Sequence, residues 1–140
     1  MPIKIEGLAP LIQVFDMPTS VRFYCDVLGF ELVGNSPMVK EAEREYFHWA
    51  LLRRDSVELM LNTAYDVGQR PPAPDPARLS MHQDTCIYFG CPDVDPAYEH
   101  IRSRGVEVRK PTVAPYGMKQ LYLTDPDGYG LCFQWPAEKK

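Results

Sequence analysis

Few residues in this sequence are suited to chemistry, and the first is Glu58, in Val57-Glu58-Leu59-Met60-Leu61. Strand alternation along that run turns the carboxylate inward with Met60. Inside and without a metal, Glu58 would have its pKa raised by desolvation, making it a proton acceptor or a partner for a cationic ligand group, and so the catalytic candidate. On a solvated edge it would be an ordinary surface glutamate. Four cysteines, Cys25, Cys86, Cys91 and Cys132, form no C-x-x-C pair and read as free, buried thiols rather than a disulfide framework. His82, at the end of a proline-rich stretch, and His100, on a helix, read as surface residues. Asp125-Pro126-Asp127-Gly128-Tyr129 is turn chemistry, since proline presets φ and Asp-Gly accepts the positive φ of a bend.

Composition limits what can be built around these groups. A chain of 140 residues, 45% hydrophobic, supports one ordinary core and hence a single domain spanning 1–140. A net charge of −4 and a pI near 5.3 argue against nucleic acid or an anionic membrane as partner, because phosphate binding needs a cationic face. Arg53-Arg54 reads as a turn and Lys139-Lys140 as a solvated tail. No run of about 18 apolar residues and no basic segment leading into an apolar one is present, so a cytoplasmic protein is expected.

The elements that must position the candidates repeat. Leu8 to Phe15 is a buried strand ending at Asp16, a helix N-cap; Val21, Tyr24, Cys25 and Leu28 make one apolar helix face, and Gly29 stops the helix. Phe30 to Val33, Tyr46 to Leu52 and Val57 to Leu61 follow as strands, with Arg53 to Ser56 as a hairpin turn. Asp93 to Gly105 echoes Asp16 to Gly29. Around it stand strands at Thr85 to Phe89, Val106 to Val108, Met118 to Thr124 and Leu131 to Trp135. The repeat divides the chain into a first module at about 5–65, a linker at about 66–83 and a second module at about 84–136. Pro71-Pro72-Ala73-Pro74-Asp75-Pro76 argues against helix and sheet in the linker, which is expected to wrap the surface as a connector or lid.

Phe23-Tyr24-Cys25-Asp26-Val27-Leu28-Gly29-Phe30, the turn at Asp125 to Tyr129 and the repeated strand, helix, three-strand order closely resemble the vicinal oxygen chelate superfamily. That superfamily comprises glyoxalases, bleomycin-resistance proteins and extradiol dioxygenases. The resemblance covers nearly the whole chain. It implies an α+β fold in which paired βαβββ modules form a curved, half-barrel mixed sheet around a cup-shaped cavity. It also implies a homodimer that completes its cups across the interface. Enzymatic members hold a divalent metal at four places, on the first and last strand of each module, where it acts as a Lewis acid on vicinal oxygens.

Carried onto this chain, those places fall on Ala9, Glu58, Cys86 and Cys132. Ala9 has no donor atom, and the thiols must lose protons to bind, so no metal cofactor is expected; zinc held by Glu58, Cys86 and Cys132 is the alternative. A dioxygenase, whose iron takes two imidazoles and a carboxylate, is poorly supported. Cys86 and Cys132 either fill their strands as small apolar residues or meet the ligand. Parity places Leu11, Gln13, Met60, Asn62, Tyr88 and Gln134 on the cup-facing surface, and a four-residue turn adds Trp49 rather than His48. Tyr116-Gly117 reads as a turn or rim. Such a wall suits a small, planar, partly polar molecule. The expected function is therefore a metal-free binding protein sequestering an aromatic or amphipathic compound. A glyoxalase-like lyase or isomerase, using a nonstandard metal set or Glu58 as proton acceptor, is the competing expectation.

Overall fold

The computed structural model describes residues 2–138, so the Lys139-Lys140 tail lies outside the described residues. The chain divides into two compact units meeting at Pro72 and Ala73, and each holds an open four-stranded mixed sheet.

In the first unit, β1 (Leu11–Val14) alternates Ile12 and Val14 into the core with Leu11 and Gln13 on the other side. Asp16 then caps α1 (Met17–Arg22), accepting hydrogen bonds from the Thr19 backbone N at 3.1 Å and the Thr19 hydroxyl at 2.6 Å. The helix continues as a π-helical turn over Phe23–Val27, and Gly29, at φ 83°, ends it. Of the expected face, Tyr24 is buried, together with Met17 and Ser20, whereas Val21, Cys25 and Leu28 are only half-buried. Then come β2 (Glu31–Asn35), a small hairpin of β3 (Val39–Glu41) and β4 (Arg44–Tyr46), β5 (Trp49–Arg54) and β6 (Val57–Thr63). The main sheet has the order β1-β6-β5-β2, with β1 parallel to β6. Its inner face, Ile12, Val14, Ala50, Leu52, Leu59 and Leu61, is buried. Arg53 and Arg54, expected in a turn, extend β5; the bend shortens to Asp55 and Ser56, with Asp55 at φ 52°.

The segment after β6 is pinned back onto the start of α1. Asp16 Oδ1 receives Arg44 at 2.5 Å and Arg70 at 2.6 Å, and the two guanidinium groups stack over Tyr46 and Phe15.

The second unit opens with α2 (Pro76–His82), where the sequence argued against a helix. Asp75 caps it, accepting from Ala77 N at 3.0 Å, and Pro76 occupies the first turn, where its missing N–H costs nothing. The other three prolines all precede the cap. β7 (Cys86–Gly90), α3 (Val94–Ser103), β8 (Thr112–Val113), β9 (Met118–Thr124) and β10 (Gly130–Pro136) follow, in the sheet order β7-β10-β9-β8. The strand expected at Val106 to Val108 is absent; pairing with β9 begins only at Thr112, so the edge strand is two residues long. Phe89, Leu121, Leu123 and Leu131 from the sheet and Val94, Tyr98 and Ile101 from α3 are buried.

The β9–β10 turn is held by Asp125, whose Oδ1 accepts from Asp127 N at 2.8 Å and Tyr129 N at 3.0 Å. His82, expected on the surface, packs here: its ring stacks on Tyr129 at 4.0 Å, and Nδ1 lies 2.6 Å from the Asp127 carbonyl. His100 is exposed on α3.

Candidate functional site

The candidate residues fall on two sheet faces, one in each unit. In the first unit, the face opposite α1 brings together Leu11, Gln13, Trp49, Glu58, Met60 and Asn62. Trp49 pairs in register with Asn62, where the expected four-residue turn would have set it opposite Met60, and His48 turns to the other side with Nδ1 2.5 Å from Thr63 Oγ1. Asn62 donates to Gln13 Oε1 at 3.3 Å, joining β6 to β1. Glu58 is half-buried and directly opposite Arg53, whose guanidinium donates to Oε2 at 2.8 Å. Its carboxylate therefore meets a cation rather than bare apolar surroundings. Ala9 precedes β1 and presents only a methyl group.

In the second unit, Cys86, Tyr88, Cys132 and Gln134 share the face away from α3. β9 adds two residues that the sequence reading passed over, Tyr122 opposite Cys132 and Gln120 opposite Gln134. The period-2 pattern of the correctly placed strand Met118–Thr124 already carried that signal. Tyr88 and Tyr122, 51% and 46% exposed, meet edge to face at 6.3 Å with their hydroxyls 3.2 Å apart. Cys132 is fully buried beneath them, whereas Cys86 is exposed. Gln120 Nε2 donates to Gln134 Oε1 at 2.9 Å and to the Tyr116 hydroxyl at 2.8 Å, so Tyr116, in its turn with Gly117 at φ 91°, joins the same network.

Protonation on this face is biased one way. Burial pushes both thiols above their ordinary value, against opposing hydrogen bonds from Tyr88 to Cys86 and from Tyr122 to Cys132. The Tyr122 phenol is raised as well, by its hydrogen bond with Tyr88, by burial and by Cys132. At neutral pH the two cysteines are thiols, weak as nucleophiles. Among the described residues, no three His, Cys, Asp or Glu side chains gather closely enough to hold a metal ion. Of the four places that carry a metal in the vicinal oxygen chelate enzymes, one here lacks a donor atom, one is paired with arginine and two are protonated thiols.

Residues 7–133 match the family described as Glyoxalase/Bleomycin resistance protein/Dioxygenase superfamily, and the chain belongs to it. Among its relatives is the uncharacterized protein YaeR of Escherichia coli K12, 31% identical over 117 residues that span 83% of this chain and 84% of that protein. The fold recurs in TnmS3, an antibiotic binding protein from Streptomyces sp. CB03234, at a TM-score of 0.67 and 22% identity, covering 98% of this chain and 99% of that one. It recurs again in the bleomycin resistance determinant encoded on transposon Tn5, at a TM-score of 0.66 and 20% identity, covering 96% and 100%.

Proposed function

We propose that this protein binds a small, uncharged aromatic or amphipathic compound without a metal and acts by sequestering it, in a homodimer whose copies complete each other's binding cups. The observation that carries the reading is the neutral face of the second unit. Two half-exposed tyrosines stand there over protonated thiols and an amide pair, with no charged side chain on β7, β9 or β10 facing that way. Phenol rings offer flat apolar area and the amides offer orienting hydrogen bonds, while the strands themselves give an ionic ligand group no counter-charge; the charges nearest Tyr122 are Glu107 and Arg109, on the loop beside it. The antibiotic-binding and bleomycin-resistance proteins that share the fold support a binding role.

The lyase or isomerase alternative needs a carboxylate free to take a proton, and the Arg53 guanidinium at 2.8 Å already occupies Glu58. A thermal-shift screen of neutral polycyclic and aromatic compounds tests the proposal. A hit should raise the melting temperature with concentration, and Tyr88→Ala or Tyr122→Ala should weaken binding about tenfold or more, the loss of an aromatic contact. Glu58→Gln should leave affinity for such a hit within about threefold, because a neutral ligand does not need the carboxylate. Stoichiometric metal in protein purified without chelator, or turnover abolished by Glu58→Gln, would defeat the reading.

A further inference from the structure

Three rows of residues run across β9, β10 and β7 on the tyrosine face. Tyr122, Cys132 and Tyr88 make the middle row, flanked on one side by Gln120, Gln134 and Gly90 and on the other by Thr124, Gly130 and Cys86. In that last row a Cβ at Gly130 would stand 3.4 Å from Cys86 Sγ and 3.3 Å from the Thr85 carbonyl oxygen, crowding a floor that glycine leaves open. A cavity of about 560 Å³ opens there, lined by Glu107 and Arg109 as well as by Tyr122, Thr124 and Gly130. The shortness of β8 makes room for it. Pairing to β9 stops at Gln120, and residues 107–109 border the cavity without joining the sheet.

Glu107 and Arg109 are exposed, whereas Val106 and Val108, which alternate with them, are half-buried. That alternation sets the carboxylate and the guanidinium on one side of an extended stretch. No ion pair or side-chain hydrogen bond engages either group among the described residues. One acceptor and one donor of opposite charge therefore stand free at the end of an otherwise uncharged face.

We propose that Glu107 and Arg109 form a polar subsite selecting ligands whose flat body lies on Tyr88 and Tyr122 and whose short side arm ends in a carboxamide. The proposal rests on the binding role given above to the tyrosine face and narrows its ligand class. A carboxamide fits because its carbonyl oxygen accepts from the Arg109 guanidinium while its N–H donates to the Glu107 carboxylate. Both hydrogen bonds are charge-assisted, and the ligand brings no net charge. A carboxylate would suit Arg109 but be repelled by Glu107, and an ammonium would meet the reverse. Successive rows lie about 7 Å apart along a strand, so a two-carbon spacer carries the amide from the tyrosine row to the cavity.

The test uses naphthylpropanamide, its N,N-dimethyl amide, which keeps the carbonyl but has no N–H, and the matching propanoate, with affinities measured by isothermal titration calorimetry. The primary amide should bind the wild type about tenfold more tightly than the other two, the worth of one charge-assisted hydrogen bond. Glu107→Ala should bring the primary amide down to the affinity of the dimethyl amide, and Arg109→Ala should weaken both amides about tenfold. Both positions are exposed outside the sheet, so the variants keep the fold, which their melting temperatures check. Two amides that bind alike, or that neither substitution weakens while Tyr122→Ala still does, overturn the subsite and leave the tyrosine-face reading standing. Tighter binding of the propanoate also overturns it, since Arg109 would then act as an anion site. If none of the three compounds binds, or if binding ignores both Tyr88→Ala and Tyr122→Ala, the reading of the face falls and the subsite with it.

Discussion

Asp16 does three jobs with one carboxylate: it caps α1 and holds both Arg44 and Arg70. Burial works against its charge, but the hydrogen bonds from Thr19 and Arg70 and the Arg44 guanidinium together hold its pKa below the ordinary 3.8. A depressed native pKa gives stability that is present above the ordinary carboxylate value and lost as pH falls through the native one. Urea midpoints measured against pH should therefore decline on the acid side of 3.8, and Asp16→Asn should flatten that decline. At neutral pH, Asp16→Ala should cost about 2 kcal/mol, from the lost cap and the stranded guanidinium groups. The cap was legible in the sequence because Asp16 and Thr19 are neighbours; the arginines, 28 and 54 positions away, were not. Glu58 shows the same divide: alternation gave its face, and only the two-residue bend that aligns Arg53 with it revealed its partner. Both strand cysteines were read as buried; Cys132 is, beneath Tyr122 of the neighbouring strand, whereas Cys86 is exposed.

At the scale of elements, both βαβββ patterns were legible, because a period of 2 against 3.6 and an acidic cap followed by an early proline are local signals. The misreadings were α2, where four prolines outweighed the cap at Asp75, and β8, where apolar residues at 106 and 108 imitated a strand that no neighbour pairs with. The β3–β4 hairpin, three residues a side and rich in charge, gave no pattern to read. α2 matters because the β9–β10 turn closes on it. Gly128 sits at φ 87°, and a Cβ there would lie 2.8 Å from the Leu79 carbonyl oxygen in α2. Gly128→Ala should lower stability by about 2 kcal/mol or more, combining left-handed strain with a backbone clash that no side-chain rotation relieves, as measured by thermal or urea unfolding.

For the whole molecule, duplicated architecture and family were visible in the sequence, whereas the neutral tyrosine face and the exposure of Ile3, Ile5 and Leu8 became visible only with side-chain burial in hand. If no metal is held, chelator should leave the melting temperature within about 1 °C, whereas a site that contributes to folding would lose several degrees. The parallel pairing of β1 with β6 also bears on how the chain is made. Gln13 meets Asn62 across 49 intervening steps of sequence, so the first strand of the unit cannot find its partner until the last has left the ribosome. At about 5–20 residues per second, that is a wait of roughly 2–10 s. During it Ile12 and Val14 have no sheet to cover them, and Ile3, Ile5 and Leu8 lie just upstream. The nascent chain is thus most prone to aggregation around β1, and conditions that slow elongation through β5 and β6 should lower the yield of soluble protein more than slowing elsewhere.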